Sequence, residues 1–219
     1  NIGVAGDVIS ERVLKINADG TIVTNKTQAK EAMEVKAKEF TQNTSTYTEG
    51  NLTIDADKVT LKGNGTQAGN ILITGDLENE VNIYSGNDIN IGKGLVNKSG
   101  QIVTERNISI NGKTDNKDLL YAKNNITIGK ELNNTGNIQS NGSIKTGGNT
   151  TNTGKILSED ELEINGKLTS SGTVYGKNKV DVKGNLDNNG DLQSEGNIIA
   201  KDTKNTGRII SDKNIEISG

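Results

Sequence analysis

The feature that most constrains this chain is a fixed period. Gly100, Gly136, Gly154, Gly172, Gly190 and Gly207 lie 36, 18, 18, 18 and 17 residues apart. Asp118 fills the gap in that series, and Val81 takes the same place one unit earlier. Aliphatic residues keep station around each marker. Two residues after it stand Ile102, Leu120, Ile138, Ile156, Val174, Leu192 and Ile209. Eight after it stand Ile108, Ile126, Ile144, Leu162, Val180, Ile198 and Ile215. Ten after it the set is Ile110, Ile128, Thr146, Ile164, Val182, Ala200 and Ile217, and four before it come Leu132, Thr150, Leu168 and Leu186. A unit held to nearly constant length is a structural turn stacked on its neighbours.

Within each unit the apolar residues alternate with polar ones, as in Ile108-Ser-Ile110, Leu162-Glu-Ile164 and Val180-Asp-Val182. Period two with β-branched residues predicts strands with one buried face. Glycine and asparagine between the runs predict turns with left-handed backbone angles. Proline is absent from all 219 residues, which suits strands whose N–H groups are in use on both edges. About 18 residues at roughly 3.3 Å each trace a path of about 60 Å, which closes as three short sides. Stacking such rings at roughly 4.8 Å gives an all-β fold, a parallel β-helix (solenoid) of about 18–19-residue coils. Asn116, Asn134, Asn152, Asn188 and Asn205, two before the markers, then form a side-chain ladder at one corner. An antiparallel sandwich also spaces strands evenly, but its loops have no reason to keep a constant length. Roughly eleven coils predict a rod of about 50 Å.

The pattern divides the chain into residues 50–219, which are regular repeats, and residues 1–49, which are irregular coils of the same continuous solenoid. Within the latter, Ala29, Met33, Ala37 and Phe40 fall at helical spacing, with Glu34 and Lys38 as an i,i+4 pair. Met33, Val35 and Ala37 also alternate, but the spacing favours a short helix over 27–40, an insertion or cap on the solenoid.

Composition narrows function by exclusion. Cysteine and histidine are absent, so there is no disulfide framework, no Cys/His zinc site and no triad or dyad that needs either residue. A net charge of −3, with Arg12, Arg106 and Arg208 as the only arginines, gives nucleic acid little to bind. No apolar run approaches the roughly 18 residues of a membrane helix, so membrane insertion is not expected. Only 2% of residues are aromatic, which a wide globular core would not tolerate but a narrow solenoid interior does.

The units Leu132-Asn-Asn-Thr-Gly136-Asn-Ile138-Gln-Ser140 and Leu186-Asp-Asn-Asn-Gly190-Asp-Leu192-Gln-Ser194 resemble the haemagglutinin repeats of filamentous haemagglutinin and of contact-dependent inhibition toxin exoproteins, with their L-x-N-x-G-x-I-x-S pattern. The resemblance covers about residues 50–219. It implies a right-handed β-helix in a long fibre, secreted to the bacterial cell surface by two-partner secretion through an outer-membrane transporter. It implies a role in adhesion, in aggregation or in presenting a terminal domain. The secretion domain of that family carries an asparagine-proline motif, which this proline-free chain lacks, so an internal segment of a larger exoprotein is expected.

Candidate chemistry is sparse. Polysaccharide-acting β-helix enzymes need clustered carboxylates on an outer face. Asp55 with Asp57, and Glu159-Asp160-Glu161, are the candidates, and no carboxylate column recurs over adjacent coils to form a cleft. No enzyme activity, cofactor or metal is expected: the Gly147-Gly148 turn is followed by Asn149 and threonines, poor ligands for a hard cation. Sequons such as Asn25, Asn51, Asn107, Asn125 and Asn149 are the glycosylation candidates. One column is less plain. Three after the markers stand Tyr84, Val103, Tyr121, Leu157, Tyr175 and Ile210, with Gln139 and Gln193. Their neighbours one position earlier point inward, so this column points outward as an apolar stripe, a contact for a host-cell glycan or protein receptor, unless a corner turns it into a second buried layer. The sequence therefore favours a structural stalk, with a direct glycan- or protein-binding adhesin module as the alternative and an enzyme as a distant third.

Overall fold

The computed structural model describes residues 1–219 and shows an all-β solenoid of about 12 stacked coils of roughly 18 residues, compatible with haemagglutinin-type repeats. Every strand pairing is parallel and joins one coil to the next. On the first face Asn137–Ser140 lies between Leu119–Ala122 and Lys155–Ser158. On the second, Ile144–Thr146 lies between Ile126–Ile128 and Glu161–Ile164. On the third, Thr150–Asn152 lies between Leu132–Asn134 and Leu168–Ser170. The periodic aliphatic residues fill one continuous interior of 41 buried hydrophobic residues. At the last coil the interior columns open to solvent, leaving Ile215 and Ile217 45% and 54% exposed.

The short helix expected over 27–40 does not form. That stretch is covered by the strands Thr21–Ala29, Ala32–Lys36 and Glu39–Thr48, which pair with the coils on either side. The alternation of Met33 and Val35, both buried, is the true signal. The corner at Lys30–Glu31 interrupts that alternation and the one at Ala37–Lys38 shifts its phase to Phe40 and Gln42, which places Ala29, Met33, Ala37 and Phe40 at a helical interval by coincidence. The extra coil raises the number from the eleven expected to about 12 and the rod to about 58 Å at ~4.8 Å per coil.

The left-handed turns are also largely absent. Only Gly63, Gly65, Gly100 and Asp202 have positive φ. Apart from Gly100, the marker glycines are there for a different reason. A Cβ at Gly154 would lie 2.0 Å from the carbonyl oxygen of Gly136, and one at Gly172 would lie 2.1 Å from that of Gly154. The corner backbone packs directly on the coil below, so a side chain has no room.

The asparagine corner forms as the spacing predicts, and it extends further toward the N-terminus. Asn79, Asn97, Asn116 and Asn134 each donate from Nδ2 to Oδ1 of the next asparagine at 2.8–2.9 Å. The amides of Asn79, Asn116 and Asn134 also donate to backbone carbonyls of their own and the neighbouring coil, as Asn134 does to Gly136 and Lys155. Asn152 meets Ser170 instead of an asparagine. Ser170 turns its hydroxyl to the Gly172 carbonyl, so the Oδ1 of Asn188 is buried with no donor. A second corner is stapled by hydroxyls. Ser158 donates to the carbonyl of Gly142 in the coil below at 2.8 Å, and Ser194 to that of Gly176 at 2.6 Å.

Candidate functional site

The tyrosine column lies on the first face and runs the length of the rod. Register places Ile9, Gln28, Tyr47 and Gln67 in line, then Tyr84, Val103, Tyr121 and Gln139, then Leu157, Tyr175, Gln193 and Ile210. All four tyrosines and four of the six glutamines of the chain stand in this one column, and none of its members is charged. From Gln28 to Gln193 the residues before and after each member, such as Ile83 and Ser85, are buried, so strand alternation turns the column outward. Tyr84 is 39% exposed and Ile210 43%; Val103, Tyr121, Leu157 and Tyr175 are half-buried. No member forms a second interior layer.

Ile9, Gln28, Tyr47 and Gln67 escape the sequence reading because the N-terminal coils lack the glycine marker. A usable signal exists nonetheless: Tyr47, Tyr84 and Tyr121 are separated by 37 residues each, two coils apart.

Two tyrosines are tied to carboxylates on the adjoining corner. The Tyr175 hydroxyl donates to Oε1 of Glu195 at 2.8 Å. Burial of the phenol, then that carboxylate, push its pKa up to about 12. Tyr84 reaches Glu105 at 3.5 Å, and Glu105 also takes Lys123 at 3.1 Å. Between Tyr47 and Tyr84 the surface dips. The coil from Tyr47 to Gln67 is twenty residues long and the next, to Tyr84, seventeen. The irregularity falls at Gly63 and Gly65, both at positive φ. The result is a depression of about 330 Å³ lined by the two tyrosines with Ser45, Asn64, Gly65, Gln67 and Asn82.

The carboxylates singled out in the sequence are not brought together. Asp55 accepts the Thr74 hydroxyl, and Asp57 pairs with Lys93 at 3.1 Å. Asp160 takes Ser143 and Asn178 at 2.8 Å, and these two bonds hold its carboxyl below the ordinary carboxylate range. Glu159 faces Lys177 at 3.9 Å. These groups act as corner ties between coils. The sequon asparagines do similar work: the Oδ1 of Asn107 accepts the N–H of Asn125, and the Oδ1 of Asn125 that of Ser143. No group of three or more acidic side chains stands close enough to hold a metal ion.

One buried carboxylate was not foreseen. Asp181 points outward but is only 3% exposed, beneath the irregular pairing of Lys179–Asn188 with Asn197–Asn205. Burial pushes its carboxyl up, but Lys179 and Lys183, both 2.6 Å from Oδ2, outweigh that and hold it below its usual value.

No protein-family model, no curated protein and no solved structure matches the chain.

Proposed function

We propose that this chain is a stalk segment of a large secreted bacterial surface exoprotein of the haemagglutinin-repeat type. In that reading it winds right-handed, leaves the cell through an outer-membrane two-partner transporter, and has no catalytic role. It holds an adhesive or terminal domain away from the cell. The observation that carries the reading is the uninterrupted stacking of about 12 like coils, in which the acidic groups serve as ties between neighbours and the ladders run along the axis. Such a rod is a sum of nearest-neighbour interfaces and can be lengthened or shortened by whole coils without a new fold.

A matched deletion tests it. Removing residues 137–172, two coils between equivalent glycine corners, is expected to leave a folded rod about 10 Å shorter. On bacteria producing the parent protein, antibody to this segment is expected to label intact cells. Collapse of the shortened chain, or antigen confined to the cell interior, would overturn the reading.

A further inference from the structure

The uncharged part of the first face is wider than one column. Two residues before Tyr47, Gln67, Tyr84, Val103, Tyr121 and Gln139 stand Ser45, Gly65, Asn82, Gln101, Leu119 and Asn137, also outward and also uncharged. In a chain that is 24% charged, two adjacent columns over six coils carry no ionic group, and the charges begin only at the rim, with Glu49, Glu105 and Lys123. The strip is about 29 Å long, and its columns lie about 7 Å apart.

We infer that this strip is a binding surface for an uncharged, linear β-1,4-linked polysaccharide laid along the rod axis, with its best-formed subsite in the depression between Tyr47 and Tyr84. Width argues against a second protein copy. A strip of these dimensions offers a few hundred Å², below the ~800 Å² per partner of a stable protein interface. A single sugar chain is as narrow as the strip. The backbone of this face is already paired to both neighbouring coils, so a peptide strand cannot add to it; only side chains are free to recognise a ligand.

Those side chains suit sugar. Tyrosine rings offer flat apolar faces to the C–H faces of pyranoses, and the amides of Gln67, Asn82 and Gln101 supply paired donors and acceptors for hydroxyls. Tyr47, Tyr84 and Tyr121 recur every second coil, about 10 Å apart, close to the disaccharide repeat of an extended β-1,4-linked chain, in which every second sugar presents the same face. Gln67 stands between the first two rings, and Gly65, in the adjoining column beside Ser45, adds no side chain to the floor of the depression. An uncharged strip carries no attraction for a polyanion.

The inference stands apart from the stalk reading, since a stalk can bind nothing and a glycan-binding rod need not be exported. Calorimetric titration of the full chain with cellohexaose and with chitohexaose tests it. Binding of at least one oligosaccharide is expected, with an affinity that changes little between low and high salt. Tyr84→Leu, which keeps bulk without the ring, should weaken it at least about tenfold, and Tyr47→Leu likewise. Tyr84→Phe should keep most of it, and Tyr175→Leu, beyond the strip, should leave it unchanged. All three positions are on the surface, and circular dichroism would confirm that the four variants fold. Absence of binding to both oligosaccharides, indifference to Tyr47→Leu and Tyr84→Leu, or a concentration-dependent dimer that those variants abolish would each overturn it.

Discussion

The two halves of the rod solve the same stacking problem differently. The asparagine corner column runs from Val4 through Thr24, Gln42 and Leu61 and continues through Asn79 to Asn205. In the coils before Asn79 the interior is filled case by case. Phe40 and Met33 are fully buried, Thr27 and Thr46 share a hydroxyl contact of 2.9 Å, and Gln42 plugs the corner by donating to the carbonyls of Lys62 and Gly65. From Asn79 to Asn152 one amide answers the next at a spacing of 18 or 19 residues, and the column resumes from Asn188 to Asn205 after the break at Ser170. A side-chain ladder works only if every coil brings its amide to the same height, which fixes the corner rather than the whole coil length: the rung from Asn188 to Asn205 spans seventeen residues at 2.8 Å. The same corner is also spaced 18 or 19 residues from Thr24 to Asn79, so the irregular lengths around Gln67 belong to the tyrosine face, and what the two regions do differently is fill the corner.

The comparison can be broken most forcefully at the glycines. Gly172→Ala puts a Cβ 2.1 Å from the Gly154 carbonyl oxygen and is expected to cost about 3 kcal/mol in urea denaturation. Gly3→Ala, which meets nothing within 4 Å, should stay within ~0.5 kcal/mol. Equal effects would remove the steric account of the marker column. Next in size, Asn134→Leu strands the Oδ1 of Asn152 and two backbone carbonyls. The expected loss is about 2 kcal/mol, with the damage confined to adjoining coils.

Repair sharpens the contrast from the other side. Ser170→Asn would supply the missing rung and give the buried Asn188 Oδ1 a donor, for a gain of about 1 kcal/mol. Thr114 stands where Leu95 and Leu132 flank it in register, and its hydroxyl is buried without a partner. Thr114→Val should therefore also stabilise, by a comparable ~1 kcal/mol. A loss of stability in either variant would show that the corner is already satisfied.

The smallest effect is expected from pH. Asp160, Asp181 and Glu78 have lowered pKa values in the folded chain: Asp160 from Ser143 and Asn178, Asp181 from two lysines that outweigh its burial, and Glu78 from its bond to Lys98. A carboxyl lowered by folding contributes stability above its unfolded pKa, near 4, and loses it as pH falls through the folded value. With no histidine in the chain, unfolding midpoints should be level from about pH 5 to pH 8 and fall only below about pH 4. A step near pH 6 would contradict this.

Much of this was legible in the sequence because the period is chemical as well as numerical. The aliphatic columns, the asparagine ladder and the outward tyrosines all follow from position relative to a marker. The N-terminal coils were harder to read for the same reason: without a marker, Tyr47 and Gln67 lose their address, and corners that break alternation imitate a helix around Met33. The glycines were located correctly but explained wrongly. Turn chemistry suggests left-handed angles, whereas the contact between stacked corners is a property of two coils and is invisible in one. Asp181 was missed because its burial arises from a register shift against the following coil.

Residue-resolved amide hydrogen exchange tests the central claim most directly, that axial ladders make the coils from Asn79 to Asn188 a more cohesive unit than those before them. The account predicts that strands in this region exchange last and together, and that the coils before Asn79 open earlier. It also predicts that Asn134→Leu speeds exchange mainly in the coils that touch residue 134. Uniform protection along the rod, or slowest exchange in the coils that bear Phe40 and Gln42, would contradict it.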